Sequence, residues 1–348
     1  MWAYRLTQWE SDPEVVDIAV PDPGPGEVRV RVGGVGLCHS DLTMSAMPGS
    51  VGEALGWSMP FTLGHETAGW VDLLGDGVSS VRVGEAVAVL SPHPCGQCRD
   101  CAAGRDILCA KAAAGRGYGR DGGLAEFVTA PAWHLVALGE LDPTLVAPLT
   151  DAGATSHHAV ARVAHRLVDG ATVAVLGAGG LGGFAVQLCA ALGDAAIAVV
   201  DPIAQRRDEA LRLGAHHAID GVDRGTAAAL REWGSGGVDV VLDFVGTDDT
   251  IRSGLRALRP GGAFGLVGAG GGGFAKPWFG GLPSDAELFT FQGSSLADLR
   301  AVVDLAQRGS VTVGIEQFSA DRVADAYRSL EDGTVRGRAV VLPPSGFN

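Results

Sequence analysis

The sequence predicts an α/β fold in which a doubly wound parallel sheet is joined to a β-rich unit. Three observations carry that prediction. The chain has 348 residues, 47% of them apolar, enough to bury two cores at the usual domain size. Residues 1–150 hold short Val-rich segments broken by turn signals such as Pro23-Gly-Pro-Gly26 and Gly75-Asp-Gly77, the pattern of successive short strands. From about residue 171 the pattern changes to apolar strands alternating with helical stretches, the signature of βαβ units.

In chain order, Glu27-Val-Arg-Val-Arg-Val32 alternates as a strand with one buried face. Strands of the second unit are expected at Thr172–Leu176, Ala196–Val200, Val238–Phe244, Ala263–Val267 and Glu287–Phe291, because near-continuous apolar runs suit a parallel sheet covered on both faces. A helix follows at Leu299–Gln307, and Val335–Leu342 is expected to return as a strand to the first unit. Glycine, at 53 residues, is about double its ordinary frequency. Such an excess belongs where backbone turns with positive φ or approaches a ligand closely. The run Gly268–Gly273 reads as a flexible loop near the top of the sheet.

Forty acidic against 26 basic residues give a net charge of −14, which opposes attraction to nucleic acid or anionic lipid, so neither is expected as a partner. The first 20 residues already carry Arg5, Glu10, Asp12, Glu14 and Asp17, which argues against a signal peptide. Gly170–Gly193 is uncharged but holds seven glycines behind a β-branched start, so strand, turn and helix fit it better than a membrane span. A cytoplasmic location is expected. Four of the six cysteines, Cys95, Cys98, Cys101 and Cys109, fall within 15 residues. In a reducing compartment such a cluster points to a closed, structural Cys₄ zinc site. Cys189, in an apolar helical run, reads as a small buried hydrophobe.

The hexamer Gly177-Ala-Gly179-Gly180-Leu181-Gly182 matches G-x-G-x-x-G, between an expected strand and helix, with Asp201 closing the next strand 19 residues beyond Gly182. This is the Rossmann context. Gly177 allows the tight turn, Gly179 admits a pyrophosphate, Gly182 permits close helix–strand packing, and the helix N-terminus faces the anion. Asp201 suits the ribose hydroxyls and repels a 2′-phosphate, favouring NAD over NADP; alone, it would read equally as a turn residue.

Together with Gly36-Leu-Cys-His-Ser-Asp41, Gly64-His-Glu66, Pro148-Leu-Thr-Asp-Ala-Gly153, Asp243-Phe-Val-Gly246 and Gly337-Arg338, the chain resembles the zinc-dependent alcohol dehydrogenases of the medium-chain dehydrogenase/reductase superfamily, especially bacterial secondary-alcohol dehydrogenases. The resemblance runs nearly end to end. It implies a GroES-like catalytic domain of residues 1–151 and 295–348, with the zinc lobe at 95–109, around a Rossmann NAD-binding domain of residues 152–294. It implies a second, catalytic zinc held by Cys38, His65 and Asp151, with a fourth position open. Taken alone, His65 would read as a hydrogen-bonded core histidine and Asp151 as a helix cap. The resemblance makes Asp41 the carboxylate that orients His65 and Glu66 the glutamate beside the metal. It makes His39 and Arg338 pyrophosphate contacts, and Arg206, Val245, Val267 and Gly268 further cofactor contacts, although Arg206 reads equally as a solvated surface residue. Trp57, Leu90 and Gln292 are implied as pocket residues; Gln292 reads equally as solvent-facing.

The reaction implied is hydride transfer between a secondary or primary alcohol and NAD, with Ser40 relaying the alcohol proton. Many relatives end that relay in a histidine where this chain has Thr43, so either water or another group such as His93 must substitute. The alternatives on the same scaffold are an NADPH-linked aldehyde reductase, a polyol dehydrogenase, or a non-catalytic relative that binds zinc and nucleotide. A homodimer or homotetramer is expected, paired through the late strand Glu287–Phe291.

Overall fold

The structure, a computed structural model, describes residues 1–273 and 278–344. Two compact units form, Met1–Ala154 with Gly293–Asn348, and Thr155–Gln292.

The first unit is organised on strand Glu27–Gly36. Val28, Val30 and Val32 are buried on one face while Arg31 is exposed on the other, as a period of two demands. This strand pairs antiparallel with Glu66–Leu74 and with Phe127–Pro131, and its end pairs with Arg338–Leu342. The chain end therefore closes the sheet laid down by its beginning, with Val340 opposite Gly36 and Gly36 opposite Glu66. Leu6, Phe61, Leu63, Leu124 and Val341 fill the core beneath; burying each such side chain is worth about 1.5–3 kcal/mol. Helix Leu296–Gln307 starts three residues before the expected Leu299. Its start is set by a capping box in which the Asp298 carboxylate accepts from the Ser295 N–H (2.9 Å), while Asp106 accepts the Leu296 N–H (2.8 Å).

The second unit is a six-stranded parallel sheet ordered His217–Asp220, Ala196–Asp201, Thr172–Leu176, Val238–Asp243, Leu258–Leu266, Glu287–Thr290. The chain order reverses at the central strand, leaving a crevice at the strand ends beside Leu176. Residues 173–176 have no exposed surface, which is why they read as an unbroken apolar run. Strand His217–Asp220 is an addition to the expected set. It is a half-exposed edge of sequence His-Ala-Ile-Asp and lacks the apolar signal. The third, fourth and fifth expected strands end one residue early, at Asp243, Leu266 and Thr290, or begin earlier, at Leu258. Ala171–Gly193 forms a strand, a turn and helix Gly180–Leu192, and no helix among the described residues is long and apolar enough to cross a membrane.

The glycine run is corrected from a flexible loop to a packed one. Gly268, Gly270 and Gly272 donate their N–H groups to the carbonyls of Asp243, Val245 and Gly246 at 2.8–2.9 Å. A Cβ on Gly272 would lie 2.5 Å from the Thr247 backbone carbon, whereas one on Gly273 would meet nothing within 4 Å. Gly268, Gly270 and Gly272 are glycine because two backbones touch there, and Gly271 is held at φ +81°. Gly272→Ala is expected to lower stability by about 1–3 kcal/mol, and Gly273→Ala to leave it unchanged, as measured by denaturant unfolding.

Candidate functional site

Cys38, His65 and Asp151 lie in three separate segments of the first unit. Cys38 caps helix His39–Ser45 immediately after strand Glu27–Gly36. His65 follows Gly64, whose φ of +91° makes the turn that L-side chains resist, and precedes strand Glu66–Leu74. Asp151 ends the 3₁₀ turn Ala147–Thr150. Their ligand atoms, one thiol, one imidazole nitrogen and one carboxylate oxygen, all lie within 4.8 Å of one another. Thiolate, imidazole and carboxylate together suit zinc and leave a coordination position open.

The groups behind this set hold it in place. Asp41 is buried, with Oδ1 3.1 Å from Nδ1 of His65, which turns Nε2 toward Asp151 (3.6 Å) and Ser40 Oγ (3.3 Å). Burial alone would lower the His65 pKa, but Asp41, Asp151 and Cys38 hold it well above its ordinary value. Burial likewise pushes the Cys38 thiol up, and the hydrogen bond and charge of His65 with that of Arg338 bring it below normal. The lowered Cys38 value favours a thiolate donor, whereas the raised His65 value means that a cation must displace a proton from the imidazole before that ring can ligate it.

Glu66 has no exposed surface and receives a hydrogen bond from the buried guanidinium of Arg338. Burial pushes its carboxyl up to about 8 despite Arg338. A Cβ on Gly36 would sit 1.8 Å from Glu66 Oε2, so glycine there is what lets the pair meet across the strand. Within the first unit Arg338 is thus engaged by Glu66. His39 and Ser40 are exposed on the first turn of their helix, and the Thr43 hydroxyl donates to the His39 carbonyl (3.4 Å).

Cys95, Cys98, Cys101 and Cys109 also converge, with sulfurs within 4.8 Å of one another. Backbone N–H groups of Gln97 and Cys98 draw the Cys95 thiol down to about 6, the behaviour of a sulfur turned into a nest of donors. Cys189 is fully buried.

Trp57 packs against Phe61 and Tyr118, and Tyr118 stands edge-on to His65 with centroids 6.1 Å apart. Leu90 has no exposed surface, and its carbonyl accepts from Arg116. Gln292 is exposed in the second unit. His93 joins a cluster in which buried Arg116 donates toward Nδ1 of His134 (3.2 Å) and of His93 (3.4 Å). Burial and Arg116 lower His93 to about 4 and His134 to about 3, so His93 is a poor proton acceptor.

In the second unit, Gly177 has φ +86°, and a Cβ on Gly182 would lie 1.7 Å from the Gly177 carbonyl oxygen. Gly179 caps helix Gly180–Leu192 with open space beyond it, the nearest atom to a Cβ there being Arg206 Nη1 at 3.9 Å. An anion at this helix start has both room and N–H donors. Asp201 accepts the N–H groups of Ala178 and Ile203 (both 2.8 Å), and Arg206 lies 4.0 Å from its carboxylate. Asp243 accepts from Val245 and Gly246, and Val267 and Gly268 donate to its carbonyl, so this strand end and the glycine run form one turn system.

Residues 24–140 match the family described as alcohol dehydrogenase GroES-like domain, and residues 180–308 match zinc-binding dehydrogenase. An NAD-dependent alcohol dehydrogenase of Sulfurisphaera tokodaii is 31% identical over 360 residues, covering 99% of this chain and 100% of the relative. A D-arabinose 1-dehydrogenase (NADP(+)) of Saccharolobus solfataricus is 32% identical over 347 residues, covering 98% and 97%. The alcohol dehydrogenase of the hyperthermophilic archaeon Aeropyrum pernix superposes with a TM-score of 0.91 at 33% identity, covering 99% and 100%. The chain belongs to the zinc-type alcohol dehydrogenases of the medium-chain dehydrogenase/reductase superfamily.

In this alcohol dehydrogenase several site neighbours escaped sequence reasoning: Tyr118, Arg116, His134 and Tyr327, whose hydroxyl donates to Asp41 (3.1 Å). Of the three tyrosines in the chain, Tyr118 stands against His65, Tyr327 donates to Asp41, and Tyr4 stacks on Tyr327.

Two outcomes follow from the buried charges. Glu66→Ala strands a buried guanidinium and is expected to cost about 3–5 kcal/mol in urea unfolding, with much of it recovered on also replacing Arg338 by Met. The lowered pKa values of His93 and His134 mean the unfolded chain binds their protons more readily. Stability is therefore full above about pH 6.5 and falls toward pH 4. In thermal melts His134→Asn should flatten that fall.

Proposed function

We propose that Cys38, His65 and Asp151 hold a catalytic zinc, that Cys95, Cys98, Cys101 and Cys109 hold a structural one, and that the enzyme oxidises a secondary or primary alcohol with NAD. The observation that carries this reading is the convergence of thiol, imidazole and carboxylate within 4.8 Å. Bound zinc supplies Lewis acidity that makes an alcohol hydroxyl ionisable near neutral pH. Gly177–Gly182 would hold NAD and Asp201 would take its ribose hydroxyls; the cofactor would supply the hydride acceptor.

The chain's own residues do the rest. Ser40 Oγ, 3.3 Å from Nε2 of His65, receives the alcohol proton and releases it toward solvent, because neither Thr43 nor His93 offers a base. Asp41 keeps the His65 ring turned so that Nε2 faces the reacting side. Trp57 and Tyr118 form an aromatic wall beside His65 for the carbon skeleton of the substrate. Asp201 opposes a 2′-phosphate, which supports NAD over NADP. Its carboxylate is fixed in place by two backbone donors, the N–H groups of Ala178 and Ile203. His39 and Arg338 are proposed at the pyrophosphate, with Arg206, Val245, Val267 and Gly268 along the nucleotide.

A metal-type cysteine cluster of this spacing suits a reducing, cytoplasmic setting. The unpaired edge of strand Glu287–Thr290, with Leu288 exposed, supports pairing with a second copy into a homodimer or homotetramer.

Metal analysis of purified protein should find two zincs per chain; one or none would remove the assignment of Cys38, His65 and Asp151. Across a panel of primary, secondary and polyol substrates, NAD should be reduced faster than NADP. Ser40→Ala is expected to lower kcat by about 10²–10⁴-fold with zinc content intact.

A further inference from the structure

We propose that Tyr327 is a positioning residue for the metal centre, acting on His65 through Asp41. The inference rests on the zinc reading above. Asp41 divides its carboxylate between two tasks. Oδ1 faces Nδ1 of His65 at 3.1 Å, while Oδ2 accepts the Cys38 N–H and the Tyr327 hydroxyl, each at 3.1 Å. Two donors on one oxygen, arriving from different segments, fix the rotation of the carboxylate and so commit the other oxygen to His65. With the Cys38 N–H alone, the group is free to turn about that single bond.

The second donor is distant in sequence, 286 residues from Asp41. Tyr327 lies on helix Val323–Glu331, between the last two strands. It is buried, with its ring stacked on Tyr4 at 5.8 Å and 23°, so the hydroxyl has one direction available. One of the partners of Oδ2 is the backbone of Cys38, which carries the thiol ligand. Release of Asp41 therefore loosens two of the three donor residues together, and groups behind a metal ligand typically govern about 10–100-fold in metal affinity.

The matched pair Tyr327→Phe and Tyr4→Phe removes a hydroxyl from each side of the same stacked pair, and only the first touches Asp41. Zinc release to a chelator is followed in each full-length variant, and cobalt(II) substitution identifies the metal lost, since a one-thiolate centre and a four-thiolate lobe differ in charge-transfer intensity. Tyr327→Phe is expected to release one zinc equivalent about tenfold or more faster than wild type, with altered cobalt bands at the one-thiolate centre. The lobe metal, and both metals of Tyr4→Phe, should leave at wild-type rates. Wild-type rates in Tyr327→Phe overturn the proposal, as does equal acceleration of both metals, or the same acceleration in Tyr4→Phe. A wild-type chain that takes up one zinc overturns the zinc reading and this proposal with it, whereas two zincs with an unaffected Tyr327→Phe overturn this proposal alone.

Discussion

Glu66 and Arg338 meet where water is excluded, across the end of a strand that has no side chain at Gly36 to keep them apart. A buried guanidinium without its carboxyl partner would be costly, so strands Glu66–Leu74 and Arg338–Leu342 flank strand Glu27–Gly36, with Gly36 between the two side chains. The candidate metal set inherits its backbone positions from that arrangement. Cys38 leaves the strand two residues past Gly36, and His65 immediately precedes Glu66. Such a pair adds little net stability once desolvation is counted; what it enforces is register.

Four acidic residues around the two sites perform different tasks because their surroundings differ. Asp41 is enclosed by donors and is spent on orientation. Asp151 is half-buried beside Nε2 of His65 and faces the reacting side. Glu66 has a fully buried second oxygen lacking a donor, and burial raises its proton affinity. Asp201 stitches the glycine turn to its neighbouring strand through the Ala178 and Ile203 N–H groups. The same carboxylate thus builds the phosphate cradle and sets the charge that a nucleotide ribose would meet.

The parts legible in the sequence are those whose partners are close along the chain. A glycine hexamer between strand and helix, and four cysteines within one short lobe, carry their geometry in their spacing. The central strands were legible because burial on both faces leaves an apolar run. Strand His217–Asp220 was not, since an edge needs no such run, and the early start of helix Leu296–Gln307 was written in the Ser295–Asp298 capping box rather than in apolar periodicity.

By itself, then, the sequence determined the fold class, the four-cysteine cluster and the dinucleotide turn, which rest on local spacing and hydrophobic pattern, whereas Cys38, His65 and Asp151, far apart along the chain, were grouped only by the family resemblance. Tertiary structure decided which groups stand behind them. Tyr327 reaches Asp41, Arg338 reaches Glu66, Arg116 binds two imidazoles, and Gly268–Gly272 presses on the Asp243 turn. Those contacts join segments tens to hundreds of residues apart, and each arises because a buried polar group or a crowded backbone must find its partner wherever the folded chain supplies one.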